Sequence, residues 1–296
     1  MALRIGLIGL GIMGSAYAAN LIAAGFATCA YDVESGALER YRMRGGRAAA
    51  SPKEVAENSD VVIVALASPA AIESALFGKD GLADGLSPGA IVLEVGTFTL
   101  ELKGSVRERL AERGAVVIDA PVSGTGSQAQ TMDLVFFASG EQDAFEKSRP
   151  VLKALARDVR YVGEFGNGSK LKYIANLLVT IHNLSTAEAL VLAERAGIDP
   201  AIVINALGDS AATSRMLQIR GPMMVAHHYE PPTMRIEVYQ KDIEIIDEFA
   251  KLLGCPTPLF SASIPYYAQA LADGRGKQDT AAIVTVLREA AGLPPD

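Results

Sequence analysis

Residues 4–32 read RIGLIGLGIMGSAYAANLIAAGFATCAYD, and this stretch decides the fold. The apolar run Leu3–Ile8 has strand length, and Ser15–Ala24 has a helical pattern. Between them stands GLGIMG, Gly9 to Gly14, and a second strand, Ala27–Tyr31, ends in Asp32. In this context Gly9 permits a tight turn, Gly11 lets backbone approach a pyrophosphate, and Gly14 allows a helix to pack closely on a strand. The helix N-terminus supplies positive potential for the phosphates. Residues Gly9, Leu10, Gly11, Ile12, Met13 and Gly14 are therefore predicted to bind a dinucleotide, with Asp32 accepting the ribose hydroxyls. A carboxylate there repels a 2'-phosphate, so NAD is the expected cofactor and NADP is disfavoured. Arg40, Arg42 and Arg44 lie near enough to soften that preference, although they read as an exposed helix edge.

The uncharged stretch from Ile5 to Tyr31 imitates a signal peptide or membrane helix, but Gly6, Gly9, Gly11, Gly14 and Gly25 break it into strand and turn. No transmembrane span and a cytoplasmic location are expected. The 296 residues, half of them hydrophobic, suffice for one large or two ordinary domains. A net charge of -7 argues against nucleic-acid binding, which needs a basic surface, and leaves a small molecule as the expected partner. Cys29 and Cys255 both lie in apolar segments and read as core thiols. His182, His227 and His228 lack cysteine or carboxylate partners at ligand spacing, so no metal site is predicted.

Further apolar runs at Val61–Leu66, Ala90–Leu93 and Val116–Asp119 alternate with helix-length segments, the pattern of a parallel sheet covered on both faces. Shorter runs at Leu134–Ala138 and Val159–Val162, separated by a helical Glu141–Leu155, are expected to extend the sheet to about residue 163. After Phe165 the pattern is helical throughout: Gly168–Ala196, Pro200–Leu207, an interrupted Ser214–Tyr229, Met234–Leu253, Pro258–Ala272 and Asp279–Ala290. The expected architecture is α/β, a Rossmann-type doubly wound parallel sheet over residues 1–165, followed by an all-α C-terminal domain over 166–296 that begins with a long interdomain helix. Loops at Leu66–Pro69 and Gly96–Thr99 leave strand ends on the dinucleotide side, making Leu66 and Thr97 candidate cofactor contacts.

Lys172 and Asn176, in FGNGSKLKYIANLLVTIHNL (165–184), are four residues apart, which stacks them on one face of a helix. A lone Lys on a helix is ordinarily a solvated charge. Here Tyr173, Ile174, Leu177, Leu178 and Val179 leave little polar surface, and the Gly-Asn-Gly-Ser run places Lys172 near the helix start, where the macrodipole opposes an ammonium. Burial acts in the same direction, and a lysine whose proton affinity is lowered can serve as an acid/base near neutrality.

With the glycine-rich turn, Asp32, DAPVSGTG (119–126), GNGSKLKYIAN (166–176) and Lys241-Asp242 in order, the chain resembles the β-hydroxyacid dehydrogenase family over essentially its full length. The tail GRGKQDTAAIVTVL (274–287) looks nearest to the sugar-acid branch. The resemblance implies that Ser123, Gly124 and the adjoining Thr125 bind a substrate carboxylate. It also implies that Lys172 is the acid/base, that Asn176 holds the substrate, and that Lys241 closes the site at substrate and cofactor. It implies a homodimer or homotetramer assembled through the helical domain. Without the resemblance, Lys241 reads as a surface lysine paired to Asp242 or Glu237. Thr125, Ala175 and Gly96 depart from the family's usual glycine, asparagine and serine, so the substrate loop is bulkier and more polar than usual.

The resulting expectation is reversible NAD-dependent oxidation of a small hydroxy acid, a 3-hydroxy acid or short sugar acid, to the semialdehyde or keto acid. The alternatives are a glyoxylate or semialdehyde reductase, an imine reductase, and a nucleotide-binding interaction protein without turnover. Lys172 argues against the imine reductases, which generally lack a lysine at that point. Retention of Ser123, Lys172 and Asn176 together argues against a protein without turnover. 6-Phosphogluconate dehydrogenase is a longer chain, and no arginine cluster for a sugar phosphate is evident.

Overall fold

A computed structural model describes residues 3–294, in two units, Met1–Lys172 and Tyr173–Asp296. The first opens with β1 (Arg4–Ile8), α1 (Ile12–Ala23), β2 (Ala27–Tyr31), α2 (Ser35–Met43), β3 (Arg47–Ala48), α3 (Pro52–Glu57), β4 (Val61–Val64) and α4 (Pro69–Phe77). It continues with β5 (Ile91–Glu94), α5 (Leu100–Ala111), β6 (Val116–Asp119), β7 (Val122–Ser123), α6 (Gly126–Gln130), β8 (Val135–Ala138), α7 (Gln142–Lys153) and β9 (Asp158–Tyr161). Six strands form a parallel sheet in the order β3-β2-β1-β4-β5-β6, which is the doubly wound arrangement expected from the sequence.

Continuous apolar strands follow from burial on both faces. Successive side chains alternate, so Ile5, Leu7, Val61, Ile63, Ile91 and Leu93 pack with Tyr17 and Leu21 of α1. Val62, Val64, Val92 and Val117 pack on the other face with Val55 of α3, Ile72 and Leu76 of α4, and Val106 and Leu110 of α5. Helices start where the sequence stops strands: Ser51 and Ser68 cap α3 and α4 ahead of a proline, and Thr99 caps α5.

The sheet does not continue to residue 163. β7, β8 and β9 form a separate three-stranded sheet in which β7 is antiparallel to β8 and β8 is parallel to β9. Pro121, which has no N–H to offer a ladder, stands two residues after β6, and the chain turns out of the first sheet there. The Asp119–Ser139 bridge joins the two sheets.

α8 (Asn167–Arg195) runs from the first unit into the second. α9 (Pro200–Leu207), α10 (Arg215–Val225), α11 (Ile236–Leu252), α12 (Pro258–Ala272) and α13 (Ile283–Ala290) complete the helical unit. His227 and His228 follow α10 rather than lying in it, and His227 adopts φ +50°. Cys29 is buried, but Cys255 is exposed, a correction to the expectation of a core thiol: Gly254 and Pro256 place it in the connector after α11. α8 is long and apolar enough to span a bilayer by length and composition, yet 44% of its most apolar window is buried inside the protein. Among its buried polar side chains, Asn176 donates to Asp242, Thr180 shares a hydrogen bond with the Tyr239 hydroxyl, and Asn183 donates to the Thr280 carbonyl and the Tyr267 hydroxyl.

Candidate active site

At the carboxyl end of β1, Gly9 takes φ +93° and its N–H donates to the Tyr31 carbonyl at 2.9 Å. A Cβ on Gly9 would meet the Ala65 carbonyl oxygen at 2.5 Å, and one on Gly14 would meet the Gly9 carbonyl oxygen at 2.0 Å. A Cβ on Gly11 would meet nothing within 4 Å. The first two glycines are thus required by the protein's own packing, whereas the open face of Gly11 at the start of α1 is room for a ligand. Asp32 accepts the N–H of Leu10 at 2.6 Å and that of Glu34 at 2.8 Å, which fixes its carboxylate beside the turn. Leu10 therefore serves the site through Asp32, and the first-turn N–H groups of α1 at Ile12 and Met13 remain for phosphate. A groove of about 350 Å³ adjoins this turn, lined by Gly11, Ser15, Glu34, Arg40 and Arg44 among others. Arg40 sits 3.8 Å from Glu34. These residues fit a dinucleotide: turn, open backbone face, helix N-terminus and carboxylate are all present.

Two further loops leave strand ends at the same edge. Leu66 follows β4, and a Gly9 Cβ would lie 3.1 Å from its side chain. Thr97 follows β5 and is half-buried between Gly96 and the buried Phe98, while Thr99 and not Thr97 caps the next helix. Ser123 ends the short β7 that comes after β6, and Gly124, which follows it, has φ +136°, where a Cβ would lie 2.3 Å from Leu134. Glycine is thus demanded at position 124. Thr125 is the N-cap of α6, and its backbone N–H donates to Gln128 Oε1 at 3.1 Å, so that donor is engaged within the loop. The loop abuts the glycine-rich turn: a Cβ on Gly126 would lie 2.2 Å from Ile12 Cγ2, and Asn20 of α1 donates to the Ala129 carbonyl.

Lys172 is buried and is the sixth residue of α8, one turn before the buried Asn176. That depth is beyond the first turn, where a macrodipole acts most strongly, so burial is the stronger part of the sequence argument. Lys170 is exposed and donates to Asn167. Further along, Asn176 Nδ2 donates to Asp242 Oδ2 at 2.9 Å, and Lys241 Nζ contacts Asp242 Oδ1 at 2.7 Å. The structure thus joins Asn176 and Lys241 through Asp242, which fixes the direction of the Asn176 amide. Of the two partners the sequence offered Lys241, Asp242 is in ion-pair contact, and Glu237 is in contact with Arg235.

A buried ionic trio escaped the sequence reading. Lys103 Nζ lies 2.6 Å from both Glu94 Oε2 and Asp119 Oδ1, and all three side chains are at most 2% exposed. Burial works to lower the Lys103 proton affinity, but the two carboxylates outweigh it and hold the ammonium well above its ordinary range. Burial pushes the Glu94 carboxyl up, against the pull of Lys103. The signal was available: Lys103, Val106 and Leu110 share the core-facing stripe of α5.

The fold and this site define an NAD(P)-binding oxidoreductase. Residues 4–163 match the family described as the NAD binding domain of 6-phosphogluconate dehydrogenase, and residues 166–287 match the NAD-binding region of NADP-dependent 3-hydroxyisobutyrate dehydrogenase. L-threonate dehydrogenase of Cupriavidus necator is 33% identical over 97% of this chain and 96% of its own. 3-Sulfolactaldehyde reductase of Escherichia coli is 31% identical over 98% and 97%. The crystal structure of 3-hydroxyisobutyrate dehydrogenase from Salmonella typhimurium superposes with a TM-score of 0.87 at 31% identity, covering 96% of this chain and 99% of that one. The chain belongs to the β-hydroxyacid dehydrogenase family, as an NAD(P)-dependent enzyme acting on hydroxyl groups.

Proposed function

We propose that this enzyme reversibly oxidises the hydroxyl of a small hydroxy acid, a 3-hydroxy acid or short sugar acid, with NAD as the preferred cofactor. The observation that carries the reading is the buried Lys172 one turn ahead of Asn176, on a helix whose first turn is bonded to the carboxyl edge of the sheet through Asp119. The bound nicotinamide supplies the hydride acceptor. Lys172, as the neutral amine, takes the hydroxyl proton during oxidation and returns it during reduction. Asn176, its amide oriented by Asp242, holds the substrate oxygen. Ser123 and the glycine backbone at Gly124 bind the carboxylate, and Thr125 contributes its side chain. Lys241, anchored by Asp242, closes the site. The sugar-acid choice rests on the L-threonate relative, and reduction of an aldehyde acid uses the same residues in reverse. Steady-state turnover of hydroxy acids with NAD, four-carbon sugar acids included, tests it; no turnover on any acid while simple alcohols react would overturn the substrate class.

Cofactor choice is assigned to Asp32. Opposite unit charges aside, two like charges about 4 Å apart repel by about 1 kcal/mol in water and about 4 kcal/mol at the dielectric typical of a protein surface. NAD should therefore be preferred over NADP by at least about tenfold in kcat/KM. Asp32→Ser should narrow that gap, because one of the two nearby carboxylates is then gone and Arg40 and Arg44 line the groove beside Glu34 alone. Equal or better use of NADP by the unmodified enzyme would remove the role from Asp32.

A further inference from the structure

The Glu94–Lys103–Asp119 trio lies at the carboxyl ends of two neighbouring strands, where Glu94 and Asp119 stand opposite one another in register. Buried ion pairs are poor sources of stability, and apolar side chains of similar volume commonly hold such a position as well or better. What distinguishes this trio is where its remaining hydrogen bonds go. Asp119 Oδ2 accepts the backbone N–H of Ser169 at 2.8 Å, and Asp119 Oδ1 accepts the Ser169 hydroxyl at 2.8 Å. Ser139 reaches Asp119 Oδ2 at 3.2 Å and itself accepts the N–H of Gly168 at 2.9 Å. The first turn of α8, three residues before Lys172, is thus tied to one carboxylate. On the other side, Glu94 Oε1 accepts the N–H of Gly96, at the start of the loop that carries Thr97.

The backbone is shaped around these groups at both points. A Cβ on Gly168 would meet the Phe137 carbonyl oxygen at 2.3 Å and Asp119 Oδ2 at 3.1 Å. A Cβ on Gly96 would meet Phe98 at 2.4 Å and Glu94 Oε1 at 2.8 Å, which gives a physical reason for glycine at this position. α5 reinforces the link, because Arg107 lies over the Phe165 ring at 4.8 Å, two residues before α8 begins.

We propose that Lys103 and Asp119 are positioning residues for Lys172. Lys103 neutralises two carboxylates that would otherwise repel across adjacent strand ends, and Asp119 uses both its oxygens, through the N–H and the hydroxyl of Ser169, to set the depth and rotation of the first turn of α8. The trio thereby couples the Gly96–Thr97 loop, the strand that leads into the Ser123 loop, and the acid/base helix. Substitution here misplaces the amine without touching the dinucleotide turn. This inference rests on the acid/base reading of Lys172.

The test compares Ser169→Ala, Lys103→Met, Lys103→Met with Glu94→Gln, and Lys172→Ala, each by kcat, KM for the dinucleotide and melting temperature. Ser169→Ala removes one hydrogen bond to a charged group, and kcat should fall about tenfold while the dinucleotide KM stays within about twofold. Lys103→Met should lose at least as much kcat, and the double variant should regain part of it, since Gln can donate to Asp119 and the like-charge pair is gone. Should Lys103→Met fail to fold, Ser169→Ala and the double variant decide. Wild-type kcat in a folded Ser169→Ala overturns the proposal. Parallel losses of kcat, dinucleotide affinity and melting temperature in that variant also overturn it, because they mark general loosening. Turnover retained by Lys172→Ala refutes the acid/base reading itself, whereas an inactive Lys172→Ala beside an unaffected Ser169→Ala refutes only the positioning role.

Discussion

Lys172→Ala is expected to lower kcat by about 10² to 10⁴, the range for removing a positioned acid/base, while NADH affinity measured by fluorescence stays within a few-fold. The dinucleotide turn at Gly9–Gly14 lies on other elements, so the loss should appear in kcat rather than in cofactor binding. Lys170→Ala is the control. It stands two residues earlier, on nearly the opposite side of the helix at about 100° per residue, and its exposed amine reaches only as far as Asn167 in the described contacts. It should remain near wild type. Oxidation should also quicken as pH rises, because only the neutral amine accepts the proton, and this limb should vanish in Lys172→Ala. Most of the wild-type turnover surviving in Lys172→Ala would sink the mechanism and leave the fold and cofactor standing.

The main sheet was legible because its strands are buried on both faces, so β4 is wholly apolar and β1, β2, β5 and β6 are mainly so, with charged residues only at their ends. β3 and β7 are two residues each, too short for any period to register. The split into two sheets turns on Pro121, a single residue whose effect depends on which way the chain can leave β6. Lys172 with Asn176 is a local pattern, readable from a spacing of four. Asp242 acts on Asn176 across 66 positions of sequence, and Asp119 acts on Ser169 across 50, so neither partnership has any local signature. Lys103 lay between these cases. Its place on an apolar stripe announced a buried charge, but the carboxylates that receive it come from two strand ends brought side by side only by the parallel pairing of β5 and β6.

The three glycines of the turn separate folding from binding, and substituting two of them should give large and different losses. In Gly14→Ala the new Cβ falls 2.0 Å from the Gly9 carbonyl oxygen, a backbone atom that cannot rotate away. α1 must then lift from β1, at an overpacking cost of about 1 to 3 kcal/mol, and both melting temperature and NADH affinity should drop. In Gly11→Ala the added methyl meets nothing within 4 Å, and φ of -64° is open to any residue. The apoprotein should melt as wild type does. The methyl nevertheless stands where the backbone must approach the pyrophosphate, so NADH affinity should fall by at least about tenfold, the equivalent of roughly 1.4 kcal/mol. A Gly11→Ala enzyme that binds NADH as tightly as wild type would mean that the phosphates do not pass over this turn. Only the pairing of normal melting with lost binding in Gly11→Ala, against joint loss in Gly14→Ala, fits an open backbone face built for a ligand beside a closed one built for packing.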